Sequence, residues 1–253
     1  MCVNLFTCMH IENSEKVRRA GEPEYRDIIS IANLFQAWSG FRKDKKKKRD
    51  VQLFERHLED NLFTLNEQLE GKTYQHASYT AFNIYDPKFR HIHKAGVIDR
   101  VVHHLLYTFL YQLFDLAFIF DSYSCRLDKG THRGVKRLEV FVRKVSQNYT
   151  GSCWALKCDI KKFFASVDHK ILLNLLKEKI KDGDIIWLLE QIIYSFETKK
   201  GKGIPLGNLT SQVFANIYLN ELDQFVKYKL KAKYYIRYAD DFLFLSKNKE
   251  LLS

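Results

Sequence analysis

Tyr238-Ala239-Asp240-Asp241 sets two carboxylates side by side between apolar, aromatic-rich runs, Tyr234-Tyr235-Ile236 before and Phe242-Leu243-Phe244-Leu245 after. Two such runs around a short polar break predict a β-hairpin whose tight turn carries the acids. Adjacent acids at a hairpin tip repel each other and gain nothing from the core. They make chemical sense if a cation sits between them and an anionic group. They also read as a solvated turn, since Asp is a common turn residue. A third acid, Asp159, closes the run Trp154-Ala155-Leu156-Lys157-Cys158, which predicts a strand. An acid at a strand end, ahead of Phe163 and Phe164, is well placed to hold a metal. Phe164 could pack against a sugar, although both rings also read as core.

Several groups of cations could serve a polyanion. Arg126, Lys129, His132 and Arg133 surround Gly130, just before a helix expected over 135–145 with Thr131 as a candidate N-cap. A cationic loop entering a helix N-terminus suits a triphosphate, because N–H donors and guanidinium forks converge there. It also reads as a charged connector. Lys45, Lys46, Lys47, Lys48 and Arg49 form a dense basic tract, expected to be solvated and mobile and able to grip nucleic-acid phosphates. Residues 79–93 predict a hairpin turning at Asp86-Pro87, with Lys88 and Arg90 near its tip. These cations read as edge protection or as contacts to a template backbone or nucleotide. His103 and His104 are neighbours on a helix and point to different sides, so one packed and one exposed ring are expected rather than a shared metal.

The elements that must position these residues follow from apolar spacing. Helices are expected over 29–38 ending at Gly40, over 50–70 with Asp50 as N-cap and Gly71 as its close, and over 97–120. Further helices are expected over 169–180, 184–196 and 210–230. The segment 201–212 holds three glycines and a proline, which permit close backbone approach to a ligand. It lacks the GK[ST] ending of a nucleoside-triphosphatase loop. Residues 1–28 predict a weakly ordered leader.

Composition narrows the partner class. The 253 residues are 46% hydrophobic, enough for a sizeable core, and 41 Lys and Arg against 30 acids give a net charge of +11. Such an excess points to nucleic acid. No run of about 18 apolar residues exists to span a bilayer, and the N-terminus lacks the basic region of a signal peptide. Five cysteines without a CxxC pair read as reduced thiols in a cytoplasm.

Asp159, the turn at Gly207 that enters a helix, and the Tyr238-Ala239-Asp240-Asp241 hairpin fall in an order and spacing that resembles the palm of reverse transcriptases. Pro87 to Arg90 and Asp99 to His104 look like the first fingers motifs, and Asp121 to Arg126 followed by Lys129 to His132 looks like the second. In this form they are most similar to enzymes of diversity-generating retroelements. There the glutamine usual before the motif glycine is replaced by an aliphatic residue, and Pro205-Leu206-Gly207-Asn208-Leu209-Thr210-Ser211-Gln212 carries Leu206 with a Ser-Gln ending. The resemblance covers about residues 29–253. It implies an α+β fold: right-hand polymerase fingers over 29–152 and palm over 153–253, with an antiparallel palm sheet backed by helices. The chain stops at Ser253, so this reading expects the thumb to be missing, in a fragment or a truncated reading frame.

The resemblance implies RNA-directed DNA synthesis with two Mg²⁺ held by Asp159, Asp240, Asp241 and the Ile160 carbonyl. Arg126, with Lys88 or Arg90, would hold the triphosphate. Phe164 would exclude a ribose 2′-hydroxyl, Leu206 would offer no amide to the nucleotide or template, and Gly207 would let the backbone lie close. Asp168 and Asp223 read as structural. The implied partners are an RNA template, a DNA primer, deoxynucleoside triphosphates and a small basic accessory protein. A cytoplasmic setting without a membrane is expected. Alternatives are a group II intron-like, retron or antiphage reverse transcriptase, a non-catalytic RNA-binding remnant, and a metal-dependent nuclease.

Overall fold

The computed structural model describes residues 24–85 and 89–252. Lys88, the Asp86-Pro87 turn and the leader up to residue 23 lie outside them. Described in chain order, the helices are α1 (Tyr25–Ile28), α2 (Ile31–Arg42), α3 (Arg49–Glu55), α4 (Leu58–Glu70), α5 (Val97–Phe114), α6 (Thr131–Val145), α7 (Phe163–Ser166), α8 (His169–Lys179), α9 (Gly183–Ile193) and α10 (Leu209–Gln224). The strands are β1 (Thr80–Ile84), β2 (Arg90–Lys94), β3 (Trp154–Asp159), β4 (Tyr235–Tyr238) and β5 (Asp241–Ser246). The mixture of helices with two antiparallel sheets is the α+β architecture expected from the sequence.

The described chain forms two compact units, one from residues 24–113 and 164–213, the other from 114–163 and 214–252. The first is mainly helical. Leu62, Leu65 and Leu69 of α4 share one buried face, and Leu172, Leu173 and Leu176 do the same in α8. Both repeats follow the three-to-four spacing that turns one helical stripe inward. Asp168 caps α8 and Asp182 caps α9, each accepting two backbone N–H bonds. Asp168 is therefore structural, as the sequence suggested. The hairpin β1–β2 pairs Ile84 with Arg90 and Thr80 with Lys94.

In the second unit the strand order is β3-β5-β4, all antiparallel. Ile236 and Leu245 pack with Tyr123, Phe141 and Val145 on the α6 face. Tyr235, Phe242 and Phe244 pack with Ile119, Leu222 and Val226 on the other. This alternation is what a period of two residues produces in β4 and β5, which pack on both faces, while the edge strand β3 is largely exposed.

Several sequence expectations need correction. The helix expected over 50–70 is broken at Arg56 and His57 into α3 and α4, and Asp50 lies inside α3 rather than capping it. Asp50 instead accepts from Lys94 Nζ and Arg100 Nη2, both at 2.7 Å. Burial works to raise its pKa, but the hydrogen bonds from Lys94 and Arg100 prevail and hold it at about 2. Gly40 sits within α2, which runs on to Arg42. Gly130, at φ 95°, caps α6 in place of Thr131. The helix expected to reach 230 changes at Phe225–Lys229 to a wider π-helical turn. Tyr25 and Ile28, assigned to the weakly ordered leader, are buried, and Tyr25 Oη donates to the Leu69 carbonyl at 2.9 Å. No helix among the described residues is long and apolar enough to cross a membrane.

Candidate active site

The acids are positioned by the three-stranded sheet. Asp159 ends β3 and Asp241 begins β5, and the two are direct partners in the ladder. Residues so opposed point to the same face, with Cα atoms about 4.5–5.5 Å apart. Tyr238 is the partner of Asp241 on the other side, so Ala239 and Asp240 form a two-residue turn. The sequence placed both acids at the tip; the structure puts Asp240 in the turn and Asp241 on the strand. Asp159 and Asp241 are exposed, and Asp240 is half-buried. Lys157 Nζ lies 3.5 Å from Asp241 Oδ1. A pocket of about 160 Å³ opens beside Asp241, lined in part by Thr131, Val135, Lys157 and Tyr238. Thr131 Oγ1 donates to Tyr238 Oη at 3.1 Å across it.

The chemistry of this donor set suits a hard divalent cation, because hard ions select carboxylate and carbonyl oxygen. The Ile160 carbonyl follows Asp159 directly and accepts from Phe163 N–H at 3.2 Å, which leaves its second lone pair. Among the described residues, no group of three His, Cys, Asp or Glu side chains is gathered closely enough to hold a metal. The backbone register brings Asp159 and Asp241 together, and cation binding would have to draw Asp241 away from Lys157.

The nucleotide-binding candidates are distributed unevenly. Leu206 and Gly207 lie against β2, the strand that begins with Arg90. His93 N–H donates to the Leu206 carbonyl at 3.1 Å, and Asn208 Nδ2 donates to the His93 carbonyl at 3.1 Å. Gly207 has φ 109°, and a Cβ there would meet Ile92 Cγ2 at 2.9 Å. Its lack of a side chain is thus explained by this strand, a reason the sequence did not reveal. Arg90 is exposed. Phe163 is core, and Phe164 is half-buried, its carbonyl accepting from Ile204 N–H at 2.8 Å.

Arg126 does not fit the expected triphosphate contact. It is 7% exposed, and its guanidinium donates to Asp115 Oδ1 at 2.6 Å and to the Ile119 carbonyl at 2.7 Å. Lys129 Nζ sits 3.5 Å over the Phe120 ring and donates to the Phe120 carbonyl. In the basic tract, Lys46, Lys47, Lys48 and Arg49 are exposed. Lys45 turns inward and donates to the Phe41 carbonyl at 3.1 Å. The histidine expectation also changes, since neither ring is exposed. His103 is 1% exposed and bonds Thr210 Oγ1 at 2.7 Å, while His104 lies edge-on to Phe41. Burial first, then Lys45 and Arg100, lowers the His104 pKa to about 3.

The sequence reading passed over Arg237. The available signal was a lone cation inside an apolar strand, where a charge needs a buried partner.

The reverse transcriptase (RNA-dependent DNA polymerase) family model matches residues 85–253. The chain belongs to the reverse transcriptase family. Among its relatives, the group II intron-encoded protein LtrA of Lactococcus lactis subsp. cremoris is 30% identical over 146 residues, covering 54% of this chain and 22% of LtrA. An uncharacterized 91 kDa protein in the cob intron of Schizosaccharomyces pombe is 29% identical over 142 residues, 54% of this chain and 17% of that protein. The match to YkfC of Escherichia coli is 23% identical and covers 69% of this chain and 47% of YkfC. The chain thus matches only part of the length of these relatives. A partial Cas6-RT-Cas1–Cas2 complex aligns over 94% of this chain and 42% of the other, with TM-score 0.50 and 23% identity. The apo telomerase of Candida tropicalis aligns over 70% of this chain and 40% of the other, with TM-score 0.50 and 13% identity. These two likenesses concern the fold.

Proposed function

We propose that this chain carries the nucleotidyl-transfer centre of an RNA-directed DNA polymerase. The observation that carries the reading is the opposition of Asp159 to Asp241 at a ladder end, with Asp240 in the adjoining turn. Asp159 and Asp240 are the principal candidates to hold two Mg²⁺, with Asp241 and the Ile160 carbonyl beside them. Such ions would supply activation of a primer 3′-hydroxyl and neutralisation of charge on a leaving pyrophosphate. The protein's own part is to hold Asp159 and Asp241 on paired strands and Asp240 in the turn that joins β4 to β5, so that charge is neutralised where it develops. We assign residues 29–152 to fingers and 153–253 to palm. Arg90 and the Leu206-Gly207 turn are the nucleotide-side candidates, with Phe164 excluding the ribose 2′-hydroxyl. Lys46, Lys47, Lys48 and Arg49 are candidates for template phosphates. Primer extension on an RNA template tests the reading. Asp240→Asn should lower incorporation by at least about 100-fold, and an unchanged rate would end it.

The finer reading is error-prone copying of a template-repeat RNA in a diversity-generating retroelement. It is supported by Leu206, which has no amide to offer. A site that reads a polar contact discriminates more strongly than one that reads apolar shape. The group II intron-like reading is favoured instead by LtrA among the relatives. Leu206→Gln should reduce misincorporation opposite adenine if the first reading holds; equal error rates would favour the second.

A further inference from the structure

The hairpin turn contains a strained residue and a buried clamp. Ala239 has φ 54°, a left-handed conformation that costs an L residue steric energy and persists only where its surroundings impose it. Its carbonyl accepts from Arg237 Nη1 at 3.0 Å. Arg237 and Asp223 are both 0% exposed. Arg237 Nε donates to Asp223 Oδ1 at 2.8 Å, and Nη2 donates to Asp223 Oδ2 at 2.7 Å. Nη1 also reaches Asn216 Oδ1 at 3.3 Å, and Nη2 reaches Ser122 Oγ at 3.2 Å. Tyr235 Oη donates to Asp223 Oδ1 at 2.7 Å. All five N–H donors of the guanidinium therefore have acceptors, and one of them is the turn carbonyl.

We propose that Arg237 is a positioning residue for the acid-bearing turn: held by Asp223, it fixes the Ala239 carbonyl and thereby sets where Asp240 projects. The proposal rests on the metal-binding reading of Asp240. A buried ion pair is a weak source of stability, because desolvation offsets its attraction. Its retention here is explained by geometry, since the planar fork can hold Asp223 and the turn at once, which a lysine cannot. Asp223, which the sequence marked as structural, is the anchor of that fork.

The test uses the 253-residue chain. Amide hydrogen exchange at residues 239–241 is measured without metal, and Mn²⁺ affinity is measured by electron paramagnetic resonance. Arg237→Lys should speed exchange in the turn and weaken Mn²⁺ binding, each by about 10-fold or more, with far-ultraviolet circular dichroism retained. A folded Arg237→Lys with wild-type exchange and affinity would overturn the proposal. The double variant Asp223→Leu with Arg237→Met separates positioning from stability. It should keep cooperative unfolding and still show the fast turn and weak Mn²⁺ binding; a slow turn would overturn the proposal. If neither variant folds, side-chain N–H exchange in the wild type decides. Arg237 Nη1 protons protected alongside the turn amides support the clamp, and protons exchanging at the solvent rate refute it. Asp240→Asn is the control: if it leaves Mn²⁺ affinity unchanged, the metal reading fails, while the exchange data still judge the clamp.

Discussion

Asp159 stands directly across the β3–β5 ladder from Asp241. Two like charges so opposed destabilise a sheet, and the exposed ion pair with Lys157 offsets little of that. Asp241→Asn should therefore stabilise the metal-free chain by about 0.2–1 kcal/mol in urea unfolding. The same variant should reduce the stabilisation given by added Mg²⁺. A less stable variant with an undiminished Mg²⁺ effect would contradict both expectations.

Gly207 combines φ 109° with the close approach of Ile92. Gly207→Ala should cost about 1–3 kcal/mol in urea unfolding, from backbone strain and overpacking together. Adding Ile92→Ala to Gly207→Ala relieves the clash but leaves the strain. Full recovery in the pair, measured against Ile92→Ala alone, would show that the backbone conformation is not the constraint.

The histidines predict loss of stability in acid. The folded-state pKa of His104 is lowered to about 3 by burial and then by Lys45 and Arg100, and that of His103 is lowered by burial first. An unfolded histidine titrates near ~6.5, so between there and the folded value the unfolded chain binds the proton. Stability is fully present above the unfolded value and falls as pH drops, by up to about 1.4 kcal/mol per pH unit for each histidine. His104→Leu should make this dependence shallower between about pH 6 and 4 while leaving the part due to His103, read from melting temperature against pH.

The basic tract separates into an exposed part and an inward-turned lysine. Lys46, Lys47, Lys48 and Arg49 are exposed, and under the proposed contact with template phosphates changing them to glutamine should weaken RNA binding. The slope of log affinity against log salt should become shallower by about 0.7 for each single-strand phosphate that is no longer neutralised. Lys45 donates to the Phe41 carbonyl and lies 5.3 Å from that ring's centre. Lys45→Met should leave the salt slope unchanged and cost about 0.5–1.5 kcal/mol of stability. A shallower slope in Lys45→Met would assign it to RNA instead.

Local patterns made much of the fold legible in the sequence. The hairpin around residue 86, the strand ending at Asp159 and the hairpin at Asp240 each show apolar or alternating runs broken by turn residues. Their strands lie within a residue or two of expectation. The hidden features depend on distant partners. Asp50 looked like a helix cap because it precedes an apolar stripe, but Lys94 and Arg100 claim it. Arg126 looked available for phosphate until Asp115 and two backbone carbonyls took its donors. The acid pair could be read from spacing, while its register with Asp159 required the sheet.

The course of the chain has a consequence for biosynthesis. Each compact unit draws on two stretches separated by part of the other, so the described chain passes between them at residues 113/114, 163/164 and 213/214. No single cut releases either unit whole. A nascent chain emerging from the ribosome cannot complete the first unit until residue 213 has been made, and by then half of the second is already waiting. Such deferred, long-range closure slows folding and leaves apolar surface uncovered for longer during synthesis.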